Sequence, residues 1–238
     1  MTRAFWLLLI LWAAPAQAVE CDNVSFQDKS YTTCSVEPAA EDLRLFYMDQ
    51  GQVLGSFGAI AGLPGVTALP FAMNAGMYHP NRAPVGHYVE NGVEAMRVIP
   101  NAGPGNFGLL PNGVFCINDD SAQVYETLRY VDEAPVCRDA TQSGPMLVID
   151  GALHPRFLPD STSRFLRNGV GTTAAGDRAV FAISNEAVSF YEFASFFRDY
   201  LQLPNALYFD GKVSRLHAPA LGRSDFGFQL GPMVGVVE

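Results

Sequence analysis

After its first eighteen residues the chain has no apolar run long and charge-free enough to cross a bilayer, which takes roughly 20 residues. It has no linker, internal repeat or low-complexity tract, so residues 19–238 read as one domain. Basic residues are scarce: 15 Lys and Arg stand against 24 Asp and Glu, a formal net charge of −9. That balance excludes nucleic-acid binding through a basic surface. The four histidines, His79, His87, His154 and His217, lack metal-ligand spacing, and no cysteine pair has the close spacing of a zinc knuckle. Ser143 lies in Gln142-Ser143-Gly144-Pro145, without the flanking glycines of a nucleophile elbow.

The N-terminus carries an export signal. Arg3 precedes an apolar stretch from Ala4 to Ala14, and Ala16-Gln17-Ala18 offers the small residues a signal peptidase requires, so cleavage is expected after Ala18. A periplasmic or secreted location follows, with no stable membrane insertion after cleavage. Cys21, Cys34, Cys116 and Cys137 all survive, and an even number in an exported chain predicts two disulfides. Of the three pairings, Cys21–Cys34 with Cys116–Cys137 closes two modest loops and is the one expected.

At 49% hydrophobic residues the mature chain has ample material for a core. Residues 43–48 and Ala68 to Met73 read as strands, and Asn91-Gly92 between two alternating runs marks a hairpin over His87 to Ile99. Further strands are expected at 113–118, 146–150, 178–184, 206–209, 213–217 and 232–237, with loops over 101–112. Ser189 and Glu192 form a capping-box pattern, followed by Phe190, Phe193, Ala194, Phe197 and Leu201 at helical spacing, and Pro204 ends the helix. The expected class is α+β: a mixed, largely antiparallel sheet packed on one principal amphipathic helix.

Four short polar segments punctuated by glycine run through this framework: Asn74-Ala75-Gly76, Gln142-Ser143-Gly144-Pro145, Arg167-Asn168-Gly169-Val170-Gly171 and Phe209-Asp210-Gly211. Each follows or adjoins a strand-like run. Glycine admits positive φ and close approach of a ligand, while a strand end steadies the polar side chain beside it. The set offers amides, a hydroxyl, a guanidinium, a carboxylate and bare N–H groups, which suits an anionic, oxygen-rich ligand such as a phosphorylated sugar. Taken singly, each segment is also ordinary turn chemistry.

In order and spacing the four segments resemble the phosphodiester glycosidase family, whose pattern runs N-G-G, Q-S-G-P, R-x-x-x-G and then L-D-G-G-G-S-S after a helix. The matching stretches are Met73 to Tyr78, Thr141 to Pro145, Arg167 to Gly171 and Phe209 to Ser214, and the resemblance covers about residues 68–217. Ala75 replaces the first glycine of the early segment, and Lys212-Val213 replace the last two of the late one. If the glycines admit a substrate phosphate, Val213 narrows that approach and Lys212 offers a charge in its place.

The resemblance implies an exported hydrolase that cleaves a sugar-1-phosphodiester, either a small molecule or a glycan. It implies Arg167 gripping the phosphate beside N–H groups of the Ser143-Gly144 turn. Asp210 would be the central carboxylate, activating water, stabilising positive charge at the anomeric carbon or holding a divalent cation. Asn74 and Gln142 would orient sugar hydroxyls or phosphate oxygens, with Gly76, Gly171 and Gly211 at the close approaches. His79, in the same segment as Gly76, is a further candidate acid or base. No cofactor is required, though Ca²⁺ or Mg²⁺ is compatible with Asp210, and Asn118-Asp119-Asp120 is a second place to look for calcium. Two readings without catalysis stand beside this one: a binding protein for a glycan or phosphosugar on the same fold, and a structural partner in envelope assembly.

Overall fold

The computed structural model describes residues 19–238, and the expected signal peptide over residues 1–18 lies outside the described residues. Alternation along the strands decides the layering. In Ala179–Ser184, Ala179, Phe181 and Ile183 enter one core while Val180 and Ala182 enter another. Asn205–Asp210 divides Leu207 and Phe209 from Ala206 and Tyr208 in the same way. Strands apolar on both faces must be covered on both, and these lie inside a seven-stranded sheet. Its order is Glu20–Phe26, Lys29–Val36, Ala179–Ser184, Asn168–Thr172, Asn205–Asp210, Met146–Ile149 and Ala152–Leu153.

One face of this sheet meets two five-stranded sheets. The first is Ala122–Glu126, Gly113–Ile117, Asp139–Ser143, Tyr88–Glu90 and Val93–Met96; the second is Arg223–Ser224, Leu216–Ala218, Phe71–Asn74, Met233–Val237 and Asp42–Phe46. Phe181 bridges the three, its ring 4.7 Å from that of Phe71 and 5.8 Å from that of Phe115. Burying each such ring contributes ~1.5–3 kcal/mol. Every pairing among the described residues is antiparallel. The expected single, mixed sheet is therefore corrected to these three antiparallel sheets, with a separate two-stranded pair of Met48–Asp49 and Gln52–Val53. Parallel pairing needs long crossovers, and the α-helices here have only five to seven residues.

The other face of the large sheet is covered by the segment expected as the principal helix. Its capping box is formed: Ser189 N–H donates to Glu192 Oε2 at 2.7 Å, and Glu192 N–H to Ser189 Oγ at 3.1 Å. The α-helix itself spans only Phe190–Ser195 and widens into a π-helix over Phe196–Tyr200. The expected stripe omits Phe196, yet Phe196 and Phe197 are both fully buried, with Phe196 stacked on Tyr31 at 4.0 Å. The wider turn brings both neighbouring rings to the sheet, as the register of one long α-helix would not.

Both disulfides have the expected pairing, Cys21–Cys34 and Cys116–Cys137. The Asn91-Gly92 turn has φ of 50° and 74°, the left-handed pair that a two-residue hairpin turn needs. Five longer stretches not read as strands are strands, Ala122–Glu126 and Asp139–Ser143 among them. Glu20–Phe26 and Lys29–Val36 form a hairpin whose turn residues Gln27 and Asp28 supply positive φ without glycine. Asn168–Thr172, one of the four glycine-marked segments, is a fully buried central strand rather than a turn. Gly169 is required there because a Cβ would lie 2.4 Å from the Leu207 carbonyl oxygen.

Candidate active site

The four segments come together at one end of the sheets. Asn74 ends its strand, Ser143 ends another, Asn168 begins the central one, and Asp210 ends the strand beside it. Asn168 Nδ2 donates to Asn74 O at 2.9 Å, while its Oδ1 accepts from Asn74 Nδ2 at 3.3 Å and from Asp210 N at 3.2 Å. Asn74 Oδ1 accepts from Arg215 N at 2.8 Å. Ser214 Oγ lies within hydrogen-bonding distance of Leu166 O, Asn168 Oδ1 and Asp210 O. This buried clamp fixes the 210–215 loop from two sheets at once. Asn74, expected to face substrate, has its amide engaged by protein, and Asn168 is its equal partner.

Gln142 is similarly engaged. Its Oε1 accepts from His87 N at 3.0 Å and Ile99 N at 2.9 Å, and its Nε2 donates to Ile99 O at 2.8 Å and Thr127 Oγ1 at 3.2 Å. Two donors and two acceptors exhaust an amide. Ser143 Oγ donates to Phe209 O at 3.0 Å, tying the first five-stranded sheet to the strand that carries Asp210. The site glycines are not positive-φ positions. They are close approaches of protein to protein: a Cβ on Gly76 would lie 2.5 Å from Gln142 O, and one on Gly211 2.2 Å from the Tyr208 hydroxyl. Gly144 is pressed by Asn112, and Gly171 by Leu203 and Phe197. Close packing of protein on protein thus accounts for glycine at all four positions.

Arg167 and Asn168 are neighbours on one chain and so face opposite ways. The Arg167 guanidinium is fully buried on the helical side, 3.7 Å from the Phe190 ring centroid, with Nε donating to Val188 O at 2.9 Å and Nη2 to Ser163 O at 3.1 Å. Nη1 has no partner among the described residues. Burial lowers its pKa from the ordinary arginine value, and the neighbouring Tyr208 counters that. The expected direct grip on a ligand is not what this placement gives: Arg167 stands behind Tyr208 rather than in the wall of a cleft.

The cleft in front of Tyr208 has a volume of about 370 Å³ and is walled by Tyr78, Tyr208, Asp210, Gly211, Lys212 and Asn106, with Phe165 and Met77 as apolar patches. Asp210 Oδ1 accepts from Gly211 N at 2.5 Å and Lys212 N at 2.7 Å, so the loop's own N–H groups orient the carboxylate. Burial first, then the Asp210 charge, raises the Tyr208 pKa against the lowering effect of Arg167, and Tyr208 stays an O–H donor. Tyr78 is raised by the same two causes in the same order, and its buried hydroxyl has no partner among the described residues. The cleft lining thus includes one carboxylate, two tyrosines that burial keeps neutral and an ammonium group, a set able to bind and polarise a phosphate-bearing sugar.

Of the residues expected at the site, Asp210 and Gly211 line this cleft and His79 does not. His79 is exposed in a turn, its N–H bonded to Ala83 O. Val213 packs toward Phe46 and Phe57 and leaves the cleft open, while Lys212 does reach it. Tyr208 was not legible from alternation, because the register shifts between it and Asp210: Asp210 opposes Asn168 and Tyr208 opposes Gly169; nothing local marks Asn106 or Phe165. Asp119 is occupied by Arg138, and no group of three or more metal-ligating side chains occurs among the described residues.

An antiparallel β scaffold brings the four glycine-marked segments together at one end of its sheets, with the Asp210 carboxylate in a cleft beside them. The chain belongs to the phosphodiester glycosidase family, whose model matches residues 67–217. It is 32% identical over 215 residues to the uncharacterised protein YigE of Escherichia coli (strain K12), covering 89% of this chain and 84% of that one. The zebrafish N-acetylglucosamine-1-phosphodiester alpha-N-acetylglucosaminidase catalytic domain, auto-inhibited by its pro-peptide, superposes with a TM-score of 0.60 at 13% identity, covering 95% of this chain and 85% of that one. A putative exported protein from Burkholderia pseudomallei K96243 superposes with a TM-score of 0.55 at 11% identity, covering 88% and 74%. Those two likenesses are likenesses of fold. Two disulfides belong to an oxidising compartment outside the cytoplasm. Among the described residues no helix is long and apolar enough to cross a membrane.

Proposed function

We propose that the chain is a periplasmic or secreted hydrolase, released by cleavage after Ala18, that cleaves the bond between an anomeric carbon and the phosphate of a sugar-1-phosphodiester. The observation that carries this reading is the Asp210 carboxylate, oriented by two N–H groups in a cleft with Tyr78, Tyr208 and Lys212. A phosphate monoester is a good leaving group, so the reaction asks for anion stabilisation and for a carboxylate near the developing positive charge. Lys212 and the Tyr208 hydroxyl serve the phosphate. Asp210 serves the anomeric carbon and the incoming water. Arg167 is a positioning residue in this scheme: its guanidinium holds Tyr208 from behind and adds positive potential to the cleft.

A second reading, a binding protein for a phosphosugar or glycan, draws support from the internal engagement of Asn74 and Gln142, which leaves the cleft few polar groups. One assay separates the two. Release of free sugar is measured from a panel of sugar-1-phosphodiesters, with EDTA or with added Mg²⁺ or Ca²⁺, for the mature protein and for Asp210→Asn. Turnover lost in the variant supports hydrolysis; no turnover in any condition, with binding that weakens in Lys212→Ala, supports the binding protein.

A further inference from the structure

Beside the candidate site lies a second cleft, of about 400 Å³, that shares Lys212 with it and continues past Ser214 and Arg215 to Phe226 and Phe228. Two features set it apart from ordinary surface. The first is charge. In a chain with a formal net charge of −9, Lys212 and Arg215 take part in no ion pair among the described residues. Arg223, also in this wall, is neutralised by Asp225 at 2.9 Å. Two free cations therefore face a cleft of an otherwise acidic protein, where an anion is the complementary guest.

The second feature is a pair of aromatic rings exposed by an anchored backbone. Phe226 is 95% and Phe228 83% exposed. Their loop is held at its root by Asp225, whose N–H donates to Leu216 O at 2.9 Å and whose Oδ2 accepts from Leu216 N at 3.0 Å. At its far end Leu230 N–H donates to Gly55 O at 2.9 Å. Between them Arg215 Nη1 donates to Phe228 O at 2.6 Å, and Gly227, at φ 152°, lies so close to Arg215 that a Cβ would meet Nη2 at 2.4 Å. The chain fixes the backbone of 225–230 and leaves both rings outside. Phe226 is also a wall between this cleft and a hollow of about 190 Å³ beside Phe57. Apolar area of this size in front of free cations has a ligand-binding character that neither feature has alone.

We infer that this second cleft is the seat of the leaving half of the substrate, and that it selects a phosphate monoester whose alcohol carries an apolar, ring-sized group. The inference rests on the sugar-1-phosphodiester reading and names the half of the diester that reading leaves open. In the balanced step, water adds its oxygen to the anomeric carbon and the bond from that carbon to the phosphate oxygen breaks. The electron pair leaves with the phosphate, and the proton released by water ends on the phosphomonoester or in solvent. The departing group is then a dianionic phosphate with its alcohol attached. Lys212, common to both clefts, meets the phosphate; Arg215 adds the second positive charge; Phe226 and Phe228 cover the apolar alcohol.

The test uses the mature full chain and two probes that need no turnover, benzyl phosphate and inorganic phosphate, with binding followed by isothermal titration calorimetry. The wild type is expected to bind benzyl phosphate at least 10-fold more tightly than inorganic phosphate. The exposed double variant Phe226→Ala, Phe228→Ala should lose that preference and keep its affinity for inorganic phosphate, and Arg215→Gln should weaken both probes together. Equal binding of the two probes by the wild type, or a preference that survives in the double variant, overturns the inference. So does loss of affinity for anionic phosphatidylglycerol vesicles in the double variant with no preference for benzyl phosphate, which would make the rings a membrane contact. In parallel, benzyl and methyl esters of N-acetylglucosamine 1-phosphate are offered as substrates; the double variant should raise KM for the benzyl ester alone. Absence of turnover on both esters counts against the hydrolase reading, while the binding arm still decides the seat.

Discussion

The buried polar clamp and the open cleft lie a few residues apart on the same strands, and they use polar side chains in opposite ways. In the clamp, Asn74, Gln142, Ser143 and Asn168 have their hydrogen-bonding capacity turned on other parts of the chain. In the cleft, Tyr78 has a buried hydroxyl without a protein partner, and Asp210 lines the wall with only Oδ1 engaged by its own loop. A buried amide left without partners costs about 1–3 kcal/mol per group, so a clamp must be complete to be tolerated. The cleft, unlike the clamp, keeps polar groups that no other part of the described chain engages. The difference teaches that most polar residues of the recognisable segments hold the site together, whereas Asp210 of the last segment faces the cleft with Tyr78, Tyr208 and Lys212, which lie beside those segments.

The contrast is broken most severely at Asp210. Asp210→Asn keeps an oxygen to cap Gly211 N and Lys212 N, so Tm should move by no more than about 2 °C, while kcat on a sugar-1-phosphodiester falls about 10³-fold, ~4 kcal/mol of activation free energy. Steady-state kinetics with differential scanning calorimetry on one preparation checks both halves. Gln142→Ala should do the reverse. It strands the backbone groups of His87 and Ile99 at a cost of about 3 kcal/mol, which lowers Tm by about 6–12 °C in a chain of this size. The fraction still folded should keep its kcat.

Tyr208 tests the seam between the two regions, because it lines the cleft and is coupled to the buried Arg167 guanidinium. Tyr208→Phe removes a donor that burial keeps protonated and should lower kcat about 10²-fold with little change in KM. An equal loss in Arg167→Met, with no further loss in the double variant, would show that Arg167 acts through Tyr208. The smallest effect is expected at Glu90, whose carboxyl is pushed from 4.5 up to about 7, chiefly by burial, against the hydrogen bond it accepts from the Tyr88 hydroxyl at 2.8 Å. The folded state holds that proton more tightly than the unfolded state. The stability it contributes is full below pH 4.5 and is lost as pH rises through about 7. Glu90→Gln should therefore be about 2 kcal/mol more stable than wild type at pH 8 and equal to it at pH 4, read by urea denaturation at both values.

Much was legible from local chemistry alone. The Asn91-Gly92 turn, the Ser189 capping box, both disulfide pairings and the core strands follow from spacing and backbone preference, which act over a few residues. The order of the four segments was enough to indicate the family. The role of each polar residue was not legible, because a side chain's partner lies far off in the chain: Asn74 is 94 residues from Asn168, and Gln142 is 55 from His87. Asn168–Thr172 looks like a turn until three sheets close around it, since the same glycines serve a turn by admitting positive φ and a packed strand by omitting a Cβ. The sequence by itself determined most of the core strands, the two disulfide pairings and the family. Only the tertiary structure decided that Asn168 faces the clamp and Arg167 the helix, and that Tyr78 and Tyr208 meet beside Asp210, because alternation assigns faces but only packing says what each face meets.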